Sequence, residues 1–350
     1  MSSILVSPQL TPSAARARGV WSAAAARFRT DRVGMTSLVI VVLFLLVVLA
    51  AGLGLVAKDW QAERGVPDAP PTFMGPAPKS EAAAIQQPAG PNVDISAIDP
   101  LAPKYAEWAE AAKKYQTTEA ARATTLPFGA DRLGRDVLAK AVKGAQVSIL
   151  VGVAAAVVAT VIGTLLGAVA GFFGGKIGDF LEWVYNVFTA MPSILLIFAF
   201  AAVFPRGVLS VVMILGLAGW TGIYRLVRAE FIKHANRDYV RSAEAIGASN
   251  ASRMFKHILP NVSHVVLVQL SIHVVGFIKS EVILSYLGLG VGVDQVSWGT
   301  MLSEAQSELI LGHWWQLAAA TTLMAVFVTA FSLMTDALRD ALDPKLRGLE

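Results

Sequence analysis

Apolar residues along this 350-residue chain gather in six long runs, not at the three-to-four-residue spacing of a surface helix. Val33–Ala57, Gly144–Gly175, Trp183–Pro205, Gly207–Tyr224, Ile258–Ile278 and Leu309–Thr335 contain no Asp, Glu, Lys or Arg. Each meets or approaches the roughly 20 residues a helix needs to cross ~30 Å of hydrocarbon, where every backbone amide must find its partner within the span. The pattern predicts an all-α integral membrane protein with six transmembrane helices. Buried helices of a large soluble protein are the alternative, but no amphipathic helices flank the runs to cover them.

Charge orients the spans. Arg16, Arg18, Arg27, Arg29 and Arg32 precede the first run, which is too long for a signal-peptide core and reads as an uncleaved anchor. Residues 1–32 are then a cytoplasmic tail and 33–57 the first membrane helix. Six crossings place both termini in the cytoplasm, along with the loop Arg225–His257, which carries Arg225, Arg228, Lys233, Arg237, Arg241, Arg253 and Lys256. The loops on the opposite side offer little beyond Arg206 and Lys279.

Residues 58–127 form an insertion expected outside the cytoplasm. Ten of the sixteen prolines lie between Pro67 and Pro127, so Pro67–Pro103 reads as an extended spacer or a contact surface for an extracytoplasmic partner. Ala102–Ala123, rich in Ala, Glu and Lys, predicts a surface helix. In the second run Gly163, Gly167, Gly171 and Gly175 recur every fourth residue, a ridge that lets another helix approach closely.

Composition reinforces the membrane reading. Hydrophobic residues make up 55% and charged residues 15%, against about a quarter charged in a soluble domain. The mean hydropathy is +0.58. The net charge of +4 is explained by basic cytoplasmic loops, without nucleic acid. With no cysteine, thiolate nucleophiles, Fe–S clusters and cysteine zinc sites are excluded.

Candidate chemistry is sparse. Gly175-Lys176 is followed by Ile177, and Ala170 stands where a P-loop needs its first glycine, so the chain has no P-loop. His234, His257, His264, His273 and His313 form no HExxH pattern, which argues against a membrane-embedded hydrolase, and no metal site or cofactor is expected. An ion-coupled secondary transporter would need mid-membrane charges and inverted repeats, and neither is evident. His264 and His273 in the fifth run either line a path or make interhelical hydrogen bonds.

The segment Asp238–Asn261, DYVRSAEAIGASNASRMFKHILPN, is the most informative. Asp238 is expected to cap a short helix that Gly247 closes in the left-handed conformation. Ser249 is expected to cap a second, which Pro260 stops or redirects. Ala243, Ile246, Met254 and Phe255 are expected to make apolar contacts, with Arg241, Glu244, Arg253 and Lys256 facing water or a partner. On a residue reading alone this is an amphipathic elbow between two spans.

The spacing of Ala243, Gly247 and Leu259-Pro260 resembles the EAA loop of ABC importer permeases, although Arg241-Ser242-Ala243 stands where that pattern has Glu-Ala-Ala. Phe128–Leu150, Glu281–Gln306 and Asp336–Gly348 are similar to matching segments of the dipeptide/oligopeptide/nickel permeases, of the C-type. The resemblance covers Val33–Ala57 loosely and Phe128–Gly348 well. It implies a type I importer permease fold, a core over 128–348 with five membrane helices, and a coupling loop over 238–260. By resemblance Arg241, Ala243, Glu244, Gly247, Ala248, Ser249, Phe255, Leu259 and Pro260 form the ATPase contact. Asp131, Arg135, His273 and Glu281 are the candidate path residues; for Asp131 and Arg135, along with Arg132 and Asp136, a capped interfacial helix is the competing role.

The implied function is import of di- or oligopeptides or similar small solutes across the bacterial inner membrane. ATP is hydrolysed on a separate chain. The implied partners are a B-type permease in a heterodimer, two ATP-binding subunits, a periplasmic or lipid-anchored substrate-binding protein, and the lipid bilayer.

Overall fold

The computed structural model describes residues 20–76, 99–113 and 122–342. The central part of the expected Pro-rich spacer and the basic residues Lys345 and Arg347 lie outside the described residues. The helices are α1 (Val20–Thr30), α2 (Arg32–Gly52), α3 (Tyr105–Lys113), α4 (Val137–Phe173), α5 (Gly175–Thr189), α6 (Ser193–Val203), α7 (Val208–Gly219), α8 (Thr221–Ala235), α9 (Asp238–Ala245), α10 (Asn250–Ser252), α11 (Leu259–Tyr286), α12 (Trp298–Ile310) and α13 (Trp315–Leu342). Isolated β-bridges occur among the described residues, but no sheet.

Four helices are long and apolar enough to cross a membrane, and the count reaches six if each of two bent pairs is one span. The third expected span, Trp183–Pro205, is not a straight helix. It breaks into α5 and α6 with a bend of 87°. Pro192 has no N–H to donate and disfavours helical backbone at Met191, so the chain leaves the helix there. The fourth span bends by 44° between α7 and α8. Gly219 sits at that bend, where a β-carbon would strike the Phe277 ring.

One compact unit comprises, of the described residues, 20–46, 149–281 and 325–342. In it α4 lies against α8 along the glycine ridge. A β-carbon on Gly163 would sit 2.6 Å from the Trp220 carbonyl oxygen, and one on Gly171 2.5 Å from that of Arg228. Gly175 leaves the ridge, because its surroundings are open and its φ of +49° serves the turn into α5. The α5 helix packs beside the same pair, with Tyr185 stacked on Tyr224 and Phe188 edge-on to Trp220.

The other unit comprises, of the described residues, 47–76, 99–113, 122–148 and 282–324. Here the first part of the insertion is not a free spacer. The Gly65 and Val66 amides donate to the Gly134 and Ala123 carbonyls at 2.9 Å, and the Ala130 amide donates to Ala69 at 2.8 Å. Trp315 closes this region by donating its indole N–H to the Ala130 carbonyl at 2.6 Å. The expected helix in Ala102–Ala123 exists as α3 and a preceding 3-10 turn. Fully buried Trp298 ties α12 to α4, with its amide on Ser148 at 3.1 Å and its indole on the Ala141 carbonyl at 3.2 Å.

Candidate functional site

The loop from Asp238 to Pro260 follows its sequence expectation at Gly247 and Ser249 and departs from it at Asp238, Pro260, Arg253 and Ile246. Arg237 is the N-cap of α9 in extended conformation with no side-chain capping bond, and Asp238 is the first helical residue. There its carboxylate still meets the positive end of the helix. Gly247 does end the helix as expected, at φ +88°. Its amide donates to Glu244 at 2.9 Å and the Ala248 amide reaches back to Ala243 at 3.0 Å, which satisfies carbonyls that the helix end leaves open. Ser249 caps α10, its hydroxyl accepting from the Ser252 amide at 3.3 Å.

Pro260 does not stop the chain. A π-helical turn over Arg253–Ile258 leads directly into α11, so residues 250–286 run as one continuous helix. The wider turn lies just before Pro260, a residue that has no N–H to give to the helix. The second half of the loop is therefore a rigid extension of the span that follows.

Its inner face is a packed core. Val240, Met254 and Ile258 are buried against Ile223, Val227 and Phe231 of α8 and Ala168 of α4. Arg253 does not face water. It pairs with Glu244 at 2.8 Å and lies 5.2 Å over the Phe172 ring. Glu244 is thereby engaged inside the loop. The outer face is apolar and cationic: Ile246 is 86% exposed, Phe255 42%, and Arg241 is also exposed. Ile246, expected to make apolar contacts, is left exposed, and so is Phe255, which the resemblance assigns to the ATPase contact. The residues Ala243, Gly247, Ala248, Ser249, Leu259 and Pro260 supply the turn and its seat.

The candidate path residues fall in two places. His273 is half-buried in α11, stacked on Phe277 with centroids 5.3 Å apart, and Gln269 is 3.4 Å away; Glu281 of the same helix is fully buried. Asp131 and Arg135 belong to an ion cluster in the other unit. Asp131 is fully buried, accepts from Lys140 and from Arg135 Nε at 2.7 Å each, and also takes the Arg135 and Leu133 amides. Lys140, 1% exposed, places its remaining ammonium protons on Glu304 and on Gln316 at 3.2 Å. Arg135 also stacks on Trp60 at 5.7 Å. Asp136 caps α4, receiving the Leu138 amide at 2.8 Å. Burial pushes the Asp131 carboxyl up, but the Lys140 ammonium, the Arg135 amide and the Arg135 guanidinium together hold it below the usual carboxylate range. The sequence reading missed Lys140, Glu304 and Gln316. The one available signal was a lysine inside an apolar helix start, nine residues after Asp131.

Glu308 behaves oppositely. It is 2% exposed, accepts from the Arg132 amide at 3.3 Å, and its second oxygen has no hydrogen-bond partner. Burial pushes its carboxyl up, so the folded protein pays for the ionised form above the normal titration range of glutamate. Glu308→Gln should stabilise the protein at pH 8 by about 1 kcal/mol, and the gain over the native chain should shrink as pH falls and the native carboxyl takes a proton. Thermal melts of both proteins at pH 8 and pH 5 measure this; a gain unchanged with pH would assign it to packing instead.

Comparison with known proteins places this architecture. The family model described as "Binding-protein-dependent transport system inner membrane component" matches residues 163–348. The oligopeptide transport system permease protein OppC of Bacillus subtilis is 33% identical over 67% of this chain and 78% of its own length. The dipeptide transport system permease protein DppC of the same organism is 35% identical over 63% of this chain and 69% of its own. OppC of Escherichia coli K12 is 35% identical over 71% and 82%. Among solved structures, a crystal structure of an amino acid ABC transporter with histidines covers 57% of this chain and 93% of that one, at 13% identity and a TM-score of 0.43. With more than half of the chain matched and two of these relatives covered over more than three quarters of their length, the chain belongs to the binding-protein-dependent transport system inner membrane components, multi-pass permease subunits of bacterial ABC importers.

Proposed function

We propose that this subunit is the C-type half of an importer of di- or oligopeptides, paired with a B-type permease, two ATP-binding subunits and a periplasmic or lipid-anchored binding protein. Family membership itself implies a partner permease, an ATPase and a substrate-binding protein. The peptide class rests on the relatives, which are named oligopeptide and dipeptide permeases. Both termini and the loop 238–260 are taken as cytoplasmic, as the arginine and lysine distribution favours.

The observation that carries the coupling assignment is the union of an exposed outer face with a rigid inner one. Ile246, Phe255 and Arg241 project outward, while Val240, Met254 and Ile258 bind the loop to α4 and α8, and the π turn makes it continuous with α11. A push on the outer face is then transmitted to the membrane helices without loss in a flexible joint. ATP-driven closure of the partner ATPases tilts these helices, and the ATPase must bind the outward-facing arrangement more tightly for the cycle to be driven.

Two variants test it. At Gly247 a β-carbon meets nothing within 4 Å, so Gly247→Val acts through its φ of +88° alone, a conformation that costs a β-branched residue on the order of 1–3 kcal/mol. Arg241→Glu alters an exposed charge and leaves the loop core intact. Each should reduce ATPase co-purification and binding-protein-stimulated ATP hydrolysis, by about tenfold for Gly247→Val. Native values in both variants would place the ATPase contact elsewhere.

A further inference from the structure

Two cavities lie in line along the groove between α11 and α13. The first, about 470 Å³, is walled by α8, α11 and the end of α13, and it carries His264, Gln269 and Arg339 among aliphatic residues. The second, about 230 Å³, lies between α11 and α13, with Ser271, Lys279, Ser332, Thr335 and Asp336 on its walls. Ile272 lines both, so they are successive parts of one groove.

The groove carries charges that a lipid-facing surface would exclude. Lys279, Asp336 and Arg339 are exposed along it, and none has an ion-pair partner among the described residues. Unpaired charges within membrane helices face water or a partner, because hydrocarbon penalises them. The hydroxyl protons of Ser271 and Thr335 are used on the Leu267 and Phe331 carbonyls, at 3.1 and 2.8 Å, which leaves the oxygens as acceptors. Beside Gly276, where helix packing would normally bring a neighbour close, a β-carbon would meet nothing within 4 Å. The space is open and largely aliphatic, and its few charged groups are Lys279 and Asp336 on the second cavity and Arg339 on the first.

We infer that the α11–α13 groove is this subunit's wall of the translocation path, and that Lys279 and Asp336 receive the α-carboxylate and the α-ammonium of a short zwitterionic peptide. The assignment rests on the peptide reading proposed above and adds to it the groups that would read both termini. It also moves the path away from Asp131 and Arg135, whose charges are already spent on each other, Lys140 and Glu304.

The chain has no cysteine, so Ser332→Cys or Ser271→Cys introduces its only thiol. In the complete reconstituted transporter, a membrane-impermeant, charged methanethiosulfonate should label both variants. Dialanine with binding protein should slow that labelling at least fivefold, and N-acetylated or C-amidated dialanine should slow it less. Gly276→Leu, which fills open space, should reduce dialanine uptake at least tenfold while the complex still assembles. If the native complex imports dialanine but the charged reagent leaves both thiols untouched and a lipid-soluble maleimide labels them, the groove holds lipid and the assignment is wrong. Labelling unaffected by dialanine in a complex that imports it also overturns the assignment. A native complex that imports no peptide overturns the peptide reading itself, and the roles of Lys279 and Asp336 fall with it.

Discussion

Gly167→Leu should leave almost no assembled protein in the membrane. A β-carbon at this position would lie 2.7 Å from the Tyr224 carbonyl oxygen, 3.1 Å from the Val227 β-carbon and 3.2 Å from the Arg228 nitrogen. The first and last are backbone atoms of α8, so no side-chain rotation can relieve the clash. The two helices must separate, and separation also breaks the contacts at Gly163 and Gly171 on the same face. Interiors packed at crystal-like density transmit such a shift instead of absorbing it. Overpacking of this kind costs about 1–3 kcal/mol where side chains can move, and more where backbones must. Because α8 also carries Ile223, Val227 and Phe231 beneath the loop 238–260, the damage reaches the seat of that loop. Detergent-resistant assembly, read by size-exclusion chromatography and thermal stability, should fall steeply for Gly167→Leu and only partly for Gly167→Ala. Normal assembly of the leucine variant would mean that α4 and α8 are not in contact in the membrane.

The helix contact was legible because lipid removes the alternative explanation. Without a hydrophobic drive between helices, a four-residue glycine period says that backbones approach. The apolar runs were equally legible, because a span announces itself by length and lack of charge. Internal breaks were not: Met191-Pro192 and Gly219-Trp220 sit inside uninterrupted apolar sequence, and hydropathy does not register an 87° bend. In the loop, Gly247 and Ser249 declared their roles through backbone chemistry that few residues can supply. The π turn has no comparable residue signature, so Pro260 was read as stopping or redirecting a helix that in fact runs on through it. Ile246 was misplaced because an amphipathic pattern does not say which apolar face meets the protein and which awaits a partner. The ion cluster was hidden for another reason: Lys140 and Glu304 are 164 residues apart, a separation no local pattern can bridge.

Lys140→Met should be the most destabilising single change in the second unit, and its cost should depend on pH in a defined direction. The ammonium of Lys140 answers Asp131, Glu304 and Gln316 together, and both Lys140 and Asp131 are essentially inaccessible to water. Removing the cation strands a buried carboxylate beside a second one, and breaking a buried pair in this way costs about 3–5 kcal/mol. Arg135 retains its own contact with Asp131 at 2.7 Å, which places the expectation near the lower end of that range. In the native protein the Asp131 carboxyl is held below its ordinary range, so its stabilising contribution is present above about pH 4 and is lost as pH falls through the folded value. Without Lys140, burial is left as the largest influence on Asp131 and pushes the carboxyl up. The variant should then bind a proton at Asp131 more readily than the native chain, and its deficit should be largest near neutral pH and narrow as pH is lowered toward 4. Lys140→Met combined with Asp131→Asn removes the stranded charge and should recover part of the loss at pH 7, with little further effect at pH 4. Denaturation midpoints of the native protein, the single variant and the double variant across that range decide the matter. A deficit independent of pH and unrelieved by Asp131→Asn would show that Lys140 stabilises the unit through its aliphatic packing and not through the charge on Asp131.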